Sequence, residues 1–464
     1  MKKLVLLVFT LSQLTVLCAQ DITGQWNGLL KEMNLRLVVH ITKTDKGYGS
    51  TLDSPDQGAT GIPVQTTVFV NDTLKLEAPN LGISYSGEFI DNTFKGTFRQ
   101  GGFIIPLILR REEPEKPKPN RPQEPKEPFP YYVEDVTFEN PAADISLAGT
   151  LTLPKKEGKF PVVVLISGSG PQDRNEELLG HKPFLIISDY LTRNDIGVLR
   201  FDDRGVGKSK GTFSGATSAD FATDVLSALH YLKSRQEVDT SKIGLVGHSE
   251  GGIIAPMVAT KSDDVRYIVL LAGTGIRGDQ LLLLQQELIG RAMGMSETQL
   301  EISKKLSTEV FAMIVNSVAS EDLKKDVNAY MTVEVNKLSD AELPIGMRRD
   351  EASIKAQVDQ LTTPWMVYFM KHDPATVLEK VKCPVLAING ENDLQVPAKQ
   401  NLKAIKTSLT ESGNTKVTTI ALPGLNHLFQ ESVTGAPNEY GTIEQTIAPE
   451  ALKVVSDWIL EQVK

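Results

Sequence analysis

The sequence predicts an α/β protein: a mostly parallel sheet covered by helices on both faces and topped by a helical cap, preceded by a small antiparallel β domain. Three observations predict it. From about residue 131 onward, compact apolar runs that mostly end in glycine-rich turns alternate with amphipathic helical stretches. Over residues 21–112, short runs with partial alternation follow one another at close spacing. Between the two lies a stretch packed with Pro, Lys and Glu, which marks a boundary.

The chain starts MKKLVLLVFTLSQLTVLCAQ. Lys2 and Lys3 make a positive start, Leu4 to Leu17 is apolar, and small residues near Ala19 suit cleavage. This is a signal-peptide pattern over residues 1–20, too short for a membrane span, and it predicts a periplasmic or secreted protein. Thr15, Val16 and Leu17 before Cys18 do not match a lipoprotein signal, which argues against a lipid anchor. With that segment removed, Cys383 is the remaining cysteine, so an internal disulfide is excluded and stability must come from packing.

In the 21–112 region, LRLVVHITKT, TTVFVNDTLKLEA, ISYSGEFIDNTFKGTF and FIIPLILRR are separated by Gly, Asn and Asp turn signals. That pattern predicts an antiparallel sandwich or a lipocalin-like barrel. Residues 113–130 have almost nothing to bury and predict an extended, semi-rigid linker. Beyond it, PVVVLISGSG, IGVLRFDDRG, KIGLVGHSEGG, YIVLLAGTG and CPVLAINGEND are continuously apolar, the signature of strands buried on both faces. Between about 276 and 370, DQLLLLQQELIGRAMGM, LEISKKLSTEVFAMIVNSVA and ASIKAQVDQL show three- and four-residue apolar spacing and predict a helical cap inserted between two core strands.

The chemistry concentrates at strand ends. Gly247-His248-Ser249-Glu250-Gly251, followed by Gly252, lies between the strand KIGLV and an apolar helix start. G-x-S-x-G at a strand-to-helix turn lifts a serine hydroxyl clear of the sheet, and its close neighbours must lack side chains. Ser249 is therefore the candidate nucleophile. His248 should point away from it as a structural residue. The Glu250 N–H at the helix start is a candidate oxyanion donor.

Serine needs a base. Of six histidines, His427 in the late loop LPGLNHLFQ is best placed; His181 could touch the site, while His40, His230 and His372 lie elsewhere. Asp393, after the strand PVLAI, is the candidate acid, with Glu391 and Asp279 as rivals. The loop Ser167-Gly168-Ser169-Gly170-Pro171 after PVVVLI should supply the second oxyanion donor, with the Ser169 N–H first and Gly170 next. Asp202, Asp203 and Arg204 read as loop braces.

Taken together, ISGSGPQDRNE, RFDDRGVGKSKG, GLVGHSEGG, INGENDLQVP and LPGLNHLF, in that order over about 131–464, resemble the α/β-hydrolase superfamily. Within it they are similar to bacterial carboxylesterases of the EstD type and the serine-aminopeptidase-like branch around them. Many of those relatives carry His-Gly where this chain has Ser167-Gly168. The resemblance implies an α/β-hydrolase fold and hydrolysis of carboxylic esters, often short-chain, by a Ser-His-Asp triad and acyl-enzyme without a cofactor. An aminopeptidase-like serine peptidase of the same fold is the nearest alternative, and a non-catalytic secreted binding protein the next. A net charge of −9 with no basic run argues against nucleic acid, and no His-Glu-x-x-His or clustered-cysteine pattern suggests a metal. The expected partner is a small-molecule ester. A homodimer is left open.

Overall fold

The structure is a computed structural model. It describes residues 21–464 except 32–34, 56–58, 80–81, 101–102, 115–119 and 319. The signal-peptide reading on residues 1–20, with Cys18, lies outside the described residues. Among the described residues no helix is long and apolar enough to cross a membrane.

The first region forms strands β1 (Gly24–Leu30), β2 (Leu35–Thr44), β3 (Gly47–Ser54), β4 (Ala59–Val64), β5 (Thr66–Val70), β6 (Thr73–Ala78), β7 (Ile83–Ile90), β8 (Thr93–Gln100) and β9 (Phe103–Leu109). They pair antiparallel in chain order, as one sheet of β1–β4 and one of β5–β9. The turns explain the meander. Asn71-Asp72 and Asp91-Asn92 all sit at φ between 49 and 57°. That conformation suits Asn and Asp, and its twist matches that of the flanking strands. Asn27 exchanges backbone hydrogen bonds with Arg110, which brings the first strand to the last. Between the sheets, Trp26, Phe94 and Phe98 are fully buried.

The second region contains β10 (Tyr132–Asn140), β11 (Ile145–Leu153), β12 (Phe160–Ile166), β13 (Gly197–Phe201), β14 (Val238–His248), β15 (Tyr267–Leu271), β16 (Val385–Gly390) and β17 (Val417–Leu422). They form one sheet in the order β10-β11-β13-β12-β14-β15-β16-β17. β10, β11 and β13 pair antiparallel; the remaining pairs are parallel. The helices are α1 (Pro183–Arg193), α2 (Ser218–Lys233), α3 (Gly251–Ala259), α4 (Gly278–Ala292), α5 (Glu297–Asn316), α6 (Ser320–Lys337), α7 (Glu351–Leu361), α8 (Pro364–Lys371), α9 (Ala375–Leu378), α10 (Ala398–Glu411) and α11 (Pro449–Gln462).

Continuous apolar runs make sense in this sheet because both faces are covered. In β12, Val162, Val164 and Ile166 belong to the apolar core shared with α2, α3 and α10 on one face, while Val163 and Leu165 belong to the core shared with α1 and α11 on the other. Helices α4 to α8 fill the predicted cap interval and share a separate apolar core around Phe311, Ile314, Val327, Val335 and Met370. α6 and α8 were not among the stretches singled out from spacing.

Among its described residues the stretch before Tyr132 has no helix or strand, yet its second half is bound to the sheet domain. Arg121 donates to the carbonyls of Leu179, Gly180, Gly441 and Ile443 at 2.8–3.2 Å. Gln123 exchanges hydrogen bonds with Thr446 and Ile447. A guanidinium presents five donors in a fixed fork, so one arginine can tie together several carbonyls that loops leave unpaired.

Candidate active site

The turn between β14 and α3 is as tight as its glycines imply. Ser249 has φ of +52°, a left-handed conformation costly for a residue with a side chain. A Cβ added at Gly247 would lie 2.0 Å from the Gly251 carbonyl oxygen, and one at Gly251 would lie 2.2 Å from the Ile166 oxygen. Neither position tolerates a side chain. The Ser249 N–H donates to Leu271 O at 2.8 Å, which pins the turn to the end of β15. Ser249 remains partly exposed, while both its neighbours are buried.

Beyond β16, Asp393 is 2% exposed and faces His427, 5% exposed. His427 Nδ1 lies 2.8 Å from Asp393 Oδ2. The other carboxylate oxygen accepts the N–H groups of Gln395 and Val396 at 2.8 Å each. A buried carboxylate so held has one orientation, and it leaves the far nitrogen of His427 free to work as a base. The rivals are placed differently. Glu391 is exposed, and Asp279 is paired with Arg277 at the start of α4. His40 pairs with Asp53. His181 is fully buried between Thr446, Tyr440 and Gln430. Burial pulls its pKa down to about 4.

The loop after β12 crosses directly above Ser249. A Cβ on Gly168 would lie 3.2 Å from the Ser249 Cβ. The Gly168 N–H is taken by Glu176 Oε1 at 2.6 Å. Ser169 and Gly170, the candidate donors, follow; Gly170 has φ of +96°, and the Ser169 carbonyl accepts from Gln172 Nε2 at 3.2 Å. Asp203 supports this loop from below. Ser167 Oγ donates to its Oδ1 at 2.8 Å and the Gln172 N–H to its Oδ2 at 2.9 Å. Burial pushes the Asp203 carboxyl up to about 8 despite those two bonds. Its neighbours brace loops by charge as the sequence suggests, Asp202 with Arg174 and Arg204 with Asp224.

Three side chains around this candidate site lie outside what the sequence predicts. The Glu250 side chain, 3% exposed, accepts from Ser218 Oγ at 2.6 Å and from Trp365 Nε1 at 2.8 Å. It therefore ties cap helix α8 to core helix α2 beside Ser249, and burial raises its pKa. Trp365 had a faint signal: Thr363-Pro364 followed by WMVYFM is a capped helix start, and Thr363 Oγ1 accepts the Met366 N–H. Glu176 had none, since nothing in ISGSGPQDRNE distinguishes it from its acidic neighbours.

Within the cap is a cavity of about 520 Å³, lined by Leu282, Ile289, Phe311, Met331, Met347 and Met366 among others, with no charged side chain. This volume falls in the range of small-molecule sites, about 300–1,000 Å³.

The serine aminopeptidase (S33) family model matches residues 184–431, just over half of the chain. Esterase EstD of Thermotoga maritima is 28% identical over 306 residues, covering 65% of this chain and 62% of that esterase. The chain thus spans less than two thirds of that relative's length. A putative hydrolase of Bacillus subtilis, YtaP, is 33% identical over 133 residues, 25% of this chain and 44% of the relative. Among solved structures, the Pyrococcus furiosus esterase Pf2001 is 14% identical with a TM-score of 0.43, covering 76% of this chain and all of that one.

Proposed function

We propose that this chain, which belongs to the serine aminopeptidase (S33) family of α/β hydrolases, is a serine carboxylesterase acting through Ser249, His427 and Asp393. The observation that carries the reading is the meeting of two devices. One is a strained serine on a glycine-walled turn at φ +52°. The other is a buried histidine–carboxylate pair at 2.8 Å from loops at the same sheet edge.

In this reading Ser249 Oγ attacks the ester carbonyl carbon as His427 takes its proton. The Glu250 N–H and the Ser169 N–H, with Gly170 as the alternative, bind the developing oxyanion. His427 then protonates the departing alcohol. Water, activated by the same imidazole, frees the acid and restores the serine. Asp393 holds the ring and balances its positive form.

The likeness to EstD supports esters over other acyl donors. We take short acyl chains as the preferred substrates. The leader-like first twenty residues support export to the periplasm or medium.

A fluorophosphonate probe tests the nucleophile: wild type should be labelled once, at Ser249, and Ser249→Ala not at all. A panel of p-nitrophenyl esters of rising chain length then reads the acyl preference. The family description favours a peptidase as the second reading. Its substrate amine would need a carboxylate in the cap; Glu287 there is engaged with Lys304 and Arg291, and Glu301 is exposed on α5. Aminoacyl p-nitroanilides compared with esters at equal concentration decide it; faster amide cleavage would overturn the esterase reading.

A further inference from the structure

A second histidine–carboxylate pair lies back to back with the first. His248 and His427 have ring centroids 5.0 Å apart. His248 Nδ1 is 2.9 Å from Glu176 Oε1, and its Nε2 is 3.1 Å from the backbone oxygen of His427. The same Glu176 oxygen accepts the Gly168 N–H at 2.6 Å. Glu176 and His248 are 4% and 7% exposed, so water offers these bonds little competition.

We propose that Glu176 and His248 are positioning residues that set the base loop and the oxyanion loop in register, because one buried pair grips the His427 carbonyl at one end and the Gly168 N–H at the other. This rests on the triad reading above. The chemistry allows few other assignments. A carbonyl oxygen only accepts, so Nε2 of His248 must carry a proton. Nδ1 faces a carboxylate oxygen, which favours a second one, and the ring is then an imidazolium neutralised by Glu176. Burial works against that charge, yet Glu176 beside it raises the His248 pKa overall. The other titratable groups nearby are Asp393, which also favours the imidazolium, and Asp203 and Glu250, whose carboxyls burial pushes upward.

A buried ion pair is weak evidence of stabilisation, since desolvation offsets most of its attraction. What this one does is geometric. The oxyanion loop follows β12 and the base loop follows β17, and β14, β15 and β16 separate those strands in the sheet. Glu176 also holds φ of +52°, a strained backbone that aims its carboxylate inward. A misplacement of about 1 Å can lower turnover about 100-fold without weakening binding.

The test is kcat and KM on a p-nitrophenyl ester, with kcat expressed per fluorophosphonate-labelled site so that only folded, competent enzyme is counted. Glu176→Ala and His248→Phe should each lower kcat by ~10- to 100-fold with KM nearly unchanged, and the double variant should fall no further than the worse single. Glu176→Gln, which can accept from Gly168 and donate to a neutral His248, should recover most of kcat. If the deletions do not fold, Glu176→Asp carries the test, because it keeps the charge but shortens the reach; kcat should again fall with KM held. Variants that melt earlier but keep wild-type kcat per site, or singles whose losses multiply, would overturn the proposal. Failure of the wild type to label at Ser249 would instead overturn the triad reading, so the two failures are distinguishable.

Discussion

In the β1–β9 unit the interior is aromatic. Trp26, Phe69, Phe89 and Phe94 meet edge to face at centroid distances of 4.6–6.4 Å, and the buried polar side chains there are few, Asn27 and Ser54 among them. At the C-terminal edge of the large sheet the interior gathers Glu176, His248, Glu250, Asp393 and His427 from distant parts of the chain. The first arrangement gains stability from nearly every contact. The second requires each charge to be desolvated and then matched by a hydrogen bond. The difference teaches that the polar cluster is arranged for orientation rather than for strength. Every one of its members touches a backbone or side-chain group next to Ser249, the loop above it or His427.

That contrast can be broken at several points. The largest effect should come from Ser249→Ala, with kcat on esters falling about 10⁶-fold and the melting temperature moving by only a few degrees; turnover above that residue would separate the turn from the chemistry. Asp393→Asn keeps shape but replaces the acceptor that fixes the His427 tautomer, and should lower kcat about 10⁴-fold, measured against the same ester. Trp26→Ala should do the opposite of both. It removes the centre of the aromatic core and should destabilise the β1–β9 unit by about 3–5 kcal/mol in calorimetry, with kcat per labelled site unchanged.

Smaller effects sharpen the comparison. Trp365→Phe deletes one donor to the buried Glu250 at a cost of about 1–3 kcal/mol, and by loosening the cap should raise KM several-fold more than it lowers kcat. Asp203 should show itself in the pH dependence of stability rather than in turnover. Its carboxyl is raised to about 8 from an ordinary 3.8, so the fold holds a proton that the unfolded chain releases. Stability from that proton is complete below about pH 4 and is lost as pH rises through about 8. The melting temperature of Asp203→Asn should therefore fall less than that of wild type between pH 4 and 8, with the two curves parallel above that window. Curves parallel throughout would mean that Asp203 is ionised in the fold.

Much of the fold was legible because it depends on local pattern. Alternation with Asn and Asp turns marks the hairpins, continuous apolar runs mark the parallel strands, and three- and four-residue spacing marks most of the cap. α6 and α8 were passed over, α6 for its many charged residues and α8 for its eight-residue length. The grip of Arg121 was not readable from sequence, because its four carbonyl partners lie 58 to 322 residues away.

By itself the sequence determined the strand-to-helix turn at Ser249, since glycine at 247 and 251 is a steric requirement that local backbone geometry imposes. It also determined the order of the elements that bring Asp393 and His427 to one sheet edge. Only the tertiary structure decided which carboxylates face which histidines: that Asp393 rather than Glu391 reaches His427, that Glu176 meets His248 and Gly168, and that Glu250 ties down Trp365. Those choices depend on burial, which turns a hydrogen bond of small net worth in water into a specific orientation. Burial arises only when distant segments pack together.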